Sequence, residues 1–170
     1  MAYEFYVTID GTTQGKFKGE SPKQGQTQKI PGLNFQYEVI SPRDAATGRA
    51  SGKRQHKPIT FVKEWGAATP QLFQALVSNE VLKTVKFEFL QIDKGTGQEI
   101  VFYTIQLTNA SVSAIKQFTD APSGEGGASA KYTSSQGNHE FEAISLTFQK
   151  IEVQHMVGKT AAQDDWSDRT

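Results

Sequence analysis

The stretch Val81-Leu82-Lys83-Thr84-Val85-Lys86-Phe87-Glu88-Phe89-Leu90-Gln91-Ile92-Asp93-Lys94-Gly95-Thr96-Gly97-Gln98-Glu99-Ile100-Val101-Phe102-Tyr103-Thr104-Ile105-Gln106-Leu107 decides the fold. Val85, Phe87 and Phe89 alternate with Thr84, Lys86 and Glu88, so an extended chain gathers the apolar set on one face. Beyond Asp93–Gly97, Val101, Tyr103, Ile105 and Leu107 repeat the pattern, and the glycines between suit a turn. The pair predicts an antiparallel hairpin. Leu90, Ile92, Ile100 and Phe102 fall off that parity, which predicts a bulge or burial on both faces.

Outward from this hairpin the same period recurs. Tyr3, Phe5, Val7 and Ile9 form a first strand ending at Asp10-Gly11, and Leu33, Phe35, Tyr37 and Val39 form another, ending at Ser41-Pro42. Phe17 marks a short strand, as do Ile59 and Phe61. Val112–Phe118 is a further strand, and Phe141–Met156 a long last one. In that last strand parity switches from Ile144, Leu146 and Phe148 to Ile151 and Val153, as at a barrel corner. One helix interrupts the series. Thr69 is its expected N-cap, Pro70 its first residue, Leu72, Phe73 and Leu76 its apolar face, and Asn79 its left-handed end. Thr119–Asn138 is rich in glycine and serine and reads as a flexible loop. The fold class is therefore mainly β: a small antiparallel barrel or sandwich of about seven or eight strands, with one flanking helix.

The 170 residues fit one domain, with the barrel over residues 1–157 and a loose polar tail over 158–170 that Trp166 anchors. Lys+Arg and Asp+Glu balance at 18 each, so bulk charge does not point to nucleic acid. The chain has no cysteine, which excludes disulfides and thiolate chemistry. The alternating start does not read as a signal peptide, and no apolar run is long enough for a membrane-spanning helix.

Catalytic patterns are incomplete throughout the chain. Gly158-Lys159-Thr160 matches the end of a phosphate-binding loop, but Val153 stands where the motif needs glycine. Glu140 and Glu142 lie about 7 Å apart on one strand face, a spacing open to glycoside hydrolysis, but solvated outward carboxylates are the commoner case. His56, His139 and His155 show no metal-ligand spacing. No Gly-x-Ser-x-Gly elbow activates a serine. No cofactor, metal or catalytic residue is expected. Asn109-Ala110-Ser111 is a formal glycosylation triplet, read as a chance match.

Ser41–Lys57 stands apart. It has no apolar periodicity, and it carries Arg43, Arg49, Lys53, Arg54 and Lys57 against Asp44 alone. A segment of this length without structure of its own is usually functional. A basic loop on a barrel could grip single-stranded nucleic acid, but it has no aromatic residue for base stacking. The other readings are a protein contact, with the loop ordering on a neighbouring subunit, and a merely solvated loop.

Read continuously, this region has an ordered signature. Ser41-Pro42-Arg43-Asp44 is followed by Thr47-Gly48, Gly52, His56-Lys57-Pro58, Lys63-Glu64-Trp65 and Ala68-Thr69-Pro70-Gln71-Leu72. Together with the opening strand, Tyr103–Ala110 and Ile144–Ile151, it resembles the hemolysin-coregulated tube proteins of the bacterial type VI secretion system. The resemblance runs from Ala2 to about His155. Gly66 departs from it, since members often carry aspartate there. The resemblance implies a barrel of two antiparallel sheets, hexameric rings stacked into a tube inside a contractile sheath, a spike protein at the tip and effectors in the lumen. It also makes Arg43, Asp44, Thr47, Gly48, Arg49, Gly52, Lys53, Arg54, His56 and Lys57 candidate contacts to a neighbouring subunit or ring. The loop's positive charge is expected to meet an acidic surface on another copy, with Asp164, Asp165 and Asp168 as candidates. Export is expected to start from the cytoplasm.

Overall fold

The computed structural model describes residues 5–119 and 140–166. Its strands are β1 (Phe5–Gly11), β2 (Gly15–Lys16), β3 (Ile30–Gly32), β4 (Asn34–Gln36), β5 (Val39–Ile40), β6 (Gln55–His56), β7 (Ile59–Glu64), β8 (Leu82–Ile92), β9 (Glu99–Thr119), β10 (Glu140–His155) and β11 (Thr160–Asp165). One helix, α1 (Thr69–Val77), separates β7 from β8. The expected loop over 119–138 and His139 lie almost wholly outside the described residues, as does Asp168.

The main sheet runs β2-β1-β8-β9-β10-β7-β4, antiparallel throughout, with β3 on β1 and β11 on β10. β8 and β9 are the predicted hairpin, with Val85 opposite Leu107 and Phe87 opposite Ile105. The register shifts between Phe89 and Leu90, so the off-parity residues mark a bulge. The edge of β10 is divided between two partners: β7 pairs with Phe141–Leu146 and β11 with Lys150–His155.

A short segment joins the two ends of the sheet. β3 lies on β1, with Ile30, Pro31 and Gly32 opposite Val7, Tyr6 and Phe5. β4 lies on β7, with Asn34, Phe35 and Gln36 opposite Val62, Phe61 and Thr60. Leu33 between them donates its N–H to the Val62 carbonyl at 2.8 Å. Residues 30–36 thus divide their pairing between both edges, and the sheet wraps around a core without one strand paired on both sides. Gly32 makes this approach feasible, because a Cβ there would fall inside the Phe5 ring.

That core holds Val7, Ile9, Phe61, Val85, Phe87, Leu107, Ile144 and Leu146, each at most 1% exposed. Each such side chain stabilises the fold by roughly 1.5–3 kcal/mol relative to exposure. Phe35 meets Phe87 edge-on at 5.1 Å and Phe89 at 5.2 Å, so the closing segment is fixed by aromatic packing as well as by backbone bonds.

Several expectations are corrected. Val112–Phe118 is not a separate strand but the second half of β9, beyond Asn109 at φ 50. Burial in β9 changes parity across Asn109, from Ile105 and Leu107 to Ala110 and Val112, and β10 changes parity across the facing Gln149. The two strands turn the corner together. Leu33–Val39 is divided between β4 and β5, which belong to different sheets. The tail is not loose as far as Asp165: β11 continues the sheet, and the Trp166 N–H bonds the Gln149 carbonyl at 3.0 Å. The helix N-cap is Ala68 rather than Thr69. Leu72 and Ala75 face the core while Phe73 is 60% exposed. Asn79, at φ 53, does end the helix as expected.

Candidate functional site

Ser41–Lys57 has structure of its own. β5 and β6 pair Val39 with His56 and Ile40 with Gln55, an isolated bridge joins Arg43 to Ala50, and together they make a hairpin arm. The tip is tied by Asp44, whose Oδ1 accepts from Ala46 N at 2.9 Å and Thr47 N at 2.8 Å. Chiefly the Thr47 bonds hold the Asp44 carboxyl below the usual aspartate value. Gly48 takes the left-handed φ of 71 that closes the turn. Ser51 N bonds the Pro42 carbonyl at 2.9 Å, and Gly52 lies beside Pro42. The arm forms a separate sheet from the barrel.

Its charges sort into two sets. Arg43, Arg49 and Lys53 are exposed, and their side chains join no ion pair among the described residues. Lys57 pairs with Glu38 at the root at 3.3 Å, in water. Arg54 points back onto the barrel. Its Nε and Nη2 donate to the two oxygens of Asp164 at 2.8 and 2.7 Å, and Nη2 also donates to the Asp165 carbonyl at 2.9 Å. His56 Nε2 lies 2.6 Å from Asp164 Oδ2, and its Nδ1 lies 2.6 Å from the Tyr37 hydroxyl. Because an ionised carboxylate only accepts, Nε2 carries the proton in that pair. Hydrogen bonds from Arg54, then from His56, hold Asp164 below the usual aspartate value despite its partial burial. Burial, then the Asp164 charge, pushes the Tyr37 phenol up. Asp164, expected to be a partner for another copy's arm, is therefore engaged by this chain's own.

The other polar cluster is inside the wall. Lys63 and Glu142, both fully buried, pair at 2.6 Å. Lys63 Nζ also donates to Glu20 Oε1 at 3.0 Å and to the Glu64 carbonyl at 2.8 Å. Thr69 Oγ1 donates to Glu142 at 2.7 Å and accepts from the Gly66 N–H at 3.0 Å, so its hydroxyl ties the cluster to the turn before the helix and not to the helix's own first N–H groups. Glu142 is thus not the solvated carboxylate expected beside Glu140, and it has no exposed face to offer a sugar. Glu20 accepts the Ala68 N–H at 2.7 Å, placing a carboxylate at the helix start. A Cβ at Gly66 would fall on that carboxylate, so the glycine and Glu20 go together.

The remaining motifs carry structure. Gly158 N bonds His155 Nδ1 at 2.8 Å, so Gly158-Lys159-Thr160 is a turn into β11. Asn109 Nδ2 bonds Gln149 at 2.8 Å. Among the described residues no group of three His, Asp or Glu side chains is placed to hold a metal ion, and no helix is long and apolar enough to cross a membrane.

The class that the fold defines is an antiparallel β-barrel with a buried Lys63–Glu142 pair in its wall and a basic hairpin arm on a separate sheet. The family model described as "Type VI secretion system effector, Hcp" matches residues 6–155. The "Major exported protein" of Pseudomonas aeruginosa PAO1 is 31% identical over 175 residues, covering 98% of this chain and 96% of that protein. Among solved structures, one described as "Crystal structure of Hcp protein" has a TM-score of 0.81 at 24% identity, covering 96% of this chain and 99% of that one. Secreted protein Hcp3 from Pseudomonas aeruginosa has a TM-score of 0.75 at 25% identity, covering 98% and 100%. The chain belongs to the Hcp family of the type VI secretion system.

Proposed function

We propose that this protein is the building block of the secretion tube. Six copies close a ring, and rings stack behind a spike protein inside a contractile sheath. Firing carries the tube out of the cytoplasm with effectors in its lumen. The role is mechanical rather than catalytic, in keeping with a Glu142 committed to Lys63 and a His56 committed to Asp164. The relative named a major exported protein supports the exported fate.

The observation that carries the reading is the arm. A two-stranded hairpin extended from a barrel gains nothing for the monomer's core, yet it holds Arg43, Arg49 and Lys53 outward and ties its tip with Asp44, Thr47 and Gly48. Such a surface fits an acidic face on another copy, and a contact between two different faces builds rings or stacks. Arg54 belongs to the arm's mounting and not to this set. The triple variant Arg43→Glu, Arg49→Glu, Lys53→Glu is expected to raise the concentration needed for assembly by at least about tenfold, read by light scattering and negative-stain images. Wild-type rings and tubes from that variant would overturn the role given to the arm.

A further inference from the structure

The arm and the barrel are separate sheets, and a two-stranded hairpin alone is marginal in water. Its direction must therefore come from what its root touches. β5 gives little help, with Val39 48% and Ile40 37% exposed. The backbone bond from Lys57 N to Glu38 O joins the hairpin's own two sides and not the arm to the wall. What reaches the wall is one face of β6. Arg54 grips Asp164 with two donors and the Asp165 carbonyl with a third bond. His56 grips Asp164 from the other side, its ring 5.4 Å from Trp166 and 5.4 Å from Phe148. With Tyr37, whose hydroxyl lies 2.6 Å from His56 Nδ1, that makes five partners, and three of them, Asp164, Asp165 and Trp166, belong to the last strand and its end.

We infer that Asp164 is a positioning residue for assembly: through Arg54 and His56 it fixes the direction of the arm, so β11 controls whether one copy can engage the next. The inference rests on the arm being a contact to a second copy. A two-donor guanidinium–carboxylate pair sets angle as well as distance, which a single ammonium contact does not. The tie is reciprocal. Thr160-Ala161-Ala162-Gln163-Asp164-Asp165 is poor in strand-forming residues, and β11 is an edge strand held only on β10, so the arm's grip also keeps it in place. Arg54 supplies the two-donor part of the grip, and His56 adds hydrogen bonds to Asp164 through Nε2 and to Tyr37 through Nδ1.

The test uses the full chain with Asp164→Ala and, separately, Arg54→Gln, which leaves the residues of β11 themselves unchanged. In each, amide hydrogen exchange over residues 42–56 is expected to speed up by at least about tenfold while the barrel strands keep their protection. The concentration for half-assembly is expected to rise by at least about tenfold in both. The exchanged pair Arg54→Asp with Asp164→Arg is expected to recover part of both losses. If the arm loosens but Arg54→Gln assembles like the wild type, the positioning role is overturned; so it is if exchange in the arm is unchanged. Loss of assembly in the Arg43, Arg49, Lys53 triple variant alongside normal assembly in Arg54→Gln would sink this inference and leave the arm as a contact. Normal assembly in the triple variant would instead remove the arm's role, on which this inference stands.

Discussion

Glu142 and Lys63 meet 2.6 Å apart with no exposed side-chain surface, and Glu20 and Thr69 complete the cluster. Ion pairs of this kind often contribute little net stability, because removing both charges from water offsets most of their attraction. Removing one partner is a different matter, since the other charge is left buried. Glu142→Ala is therefore expected to destabilise the barrel by about 1–3 kcal/mol and not more, because Glu20 still pairs with Lys63. Glu142→Leu combined with Lys63→Met should recover most of that loss only when Glu20→Gln is added, because the pair alone leaves Glu20 without its lysine; urea unfolding of the variants decides, and a Glu142→Ala effect below about 0.5 kcal/mol would contradict the pairing. The sequence pattern contradicts a solvated Glu142. Lys63 shares parity with Ile59 and Phe61, and Glu142 with Ile144 and Leu146, so strand geometry already turned both inward. What parity could not supply was their pairing, which depends on β7 lying beside β10 with Glu142 opposite Lys63.

At the scale of elements, α1 shows which part of a helix a sequence specifies. Pro70 at its start and Asn79 at its end bound it correctly, but Leu72 and Phe73 are adjacent and only one can face inward. Weight of side chain favoured both; close approach to the sheet favoured the face with Ala68, Leu72 and Ala75, which is the buried one. Leu72→Ala is accordingly expected to cost about 2–5 kcal/mol in urea unfolding, and Phe73→Ala less than about 0.5 kcal/mol. Equal losses would mean the helix is rotated from the orientation described. The arm was the harder element. Its pairing is not written in alternating apolar residues, because both of its faces meet water near the tip. It is written in Asp44, Thr47 and Gly48, which make a turn, and in Arg54 and His56, whose partners come more than a hundred positions later. The corner between β9 and β10 was legible for the opposite reason: burial imposes parity, and parity visibly breaks in β10 beyond Phe148.

The whole molecule carries 18 basic and 18 acidic residues, so no net repulsion opposes contact between copies. Within it, the charges differ in how they answer to salt. Lys63 and Glu142 are shielded from solvent, and Arg54 and Asp164 sit about a third exposed in a two-donor pair. Arg43, Arg49 and Lys53 stand exposed along the arm, where dissolved ions reach them. Raising salt from 0.1 to 1 M shortens the screening length from about 10 Å to about 3 Å, which weakens exposed pairs far more than buried ones. In the proposed tube, the concentration for half-assembly should therefore rise by at least about tenfold over that range, while the barrel's urea midpoint hardly moves. Light scattering measures the first and unfolding monitored by tryptophan fluorescence the second. The direction is diagnostic, because a contact made chiefly by exposed apolar groups such as Phe73 and Val77 would hold or tighten in salting-out conditions. Tighter assembly at 1 M salt would thus move the principal contact away from the basic arm and onto the helix face.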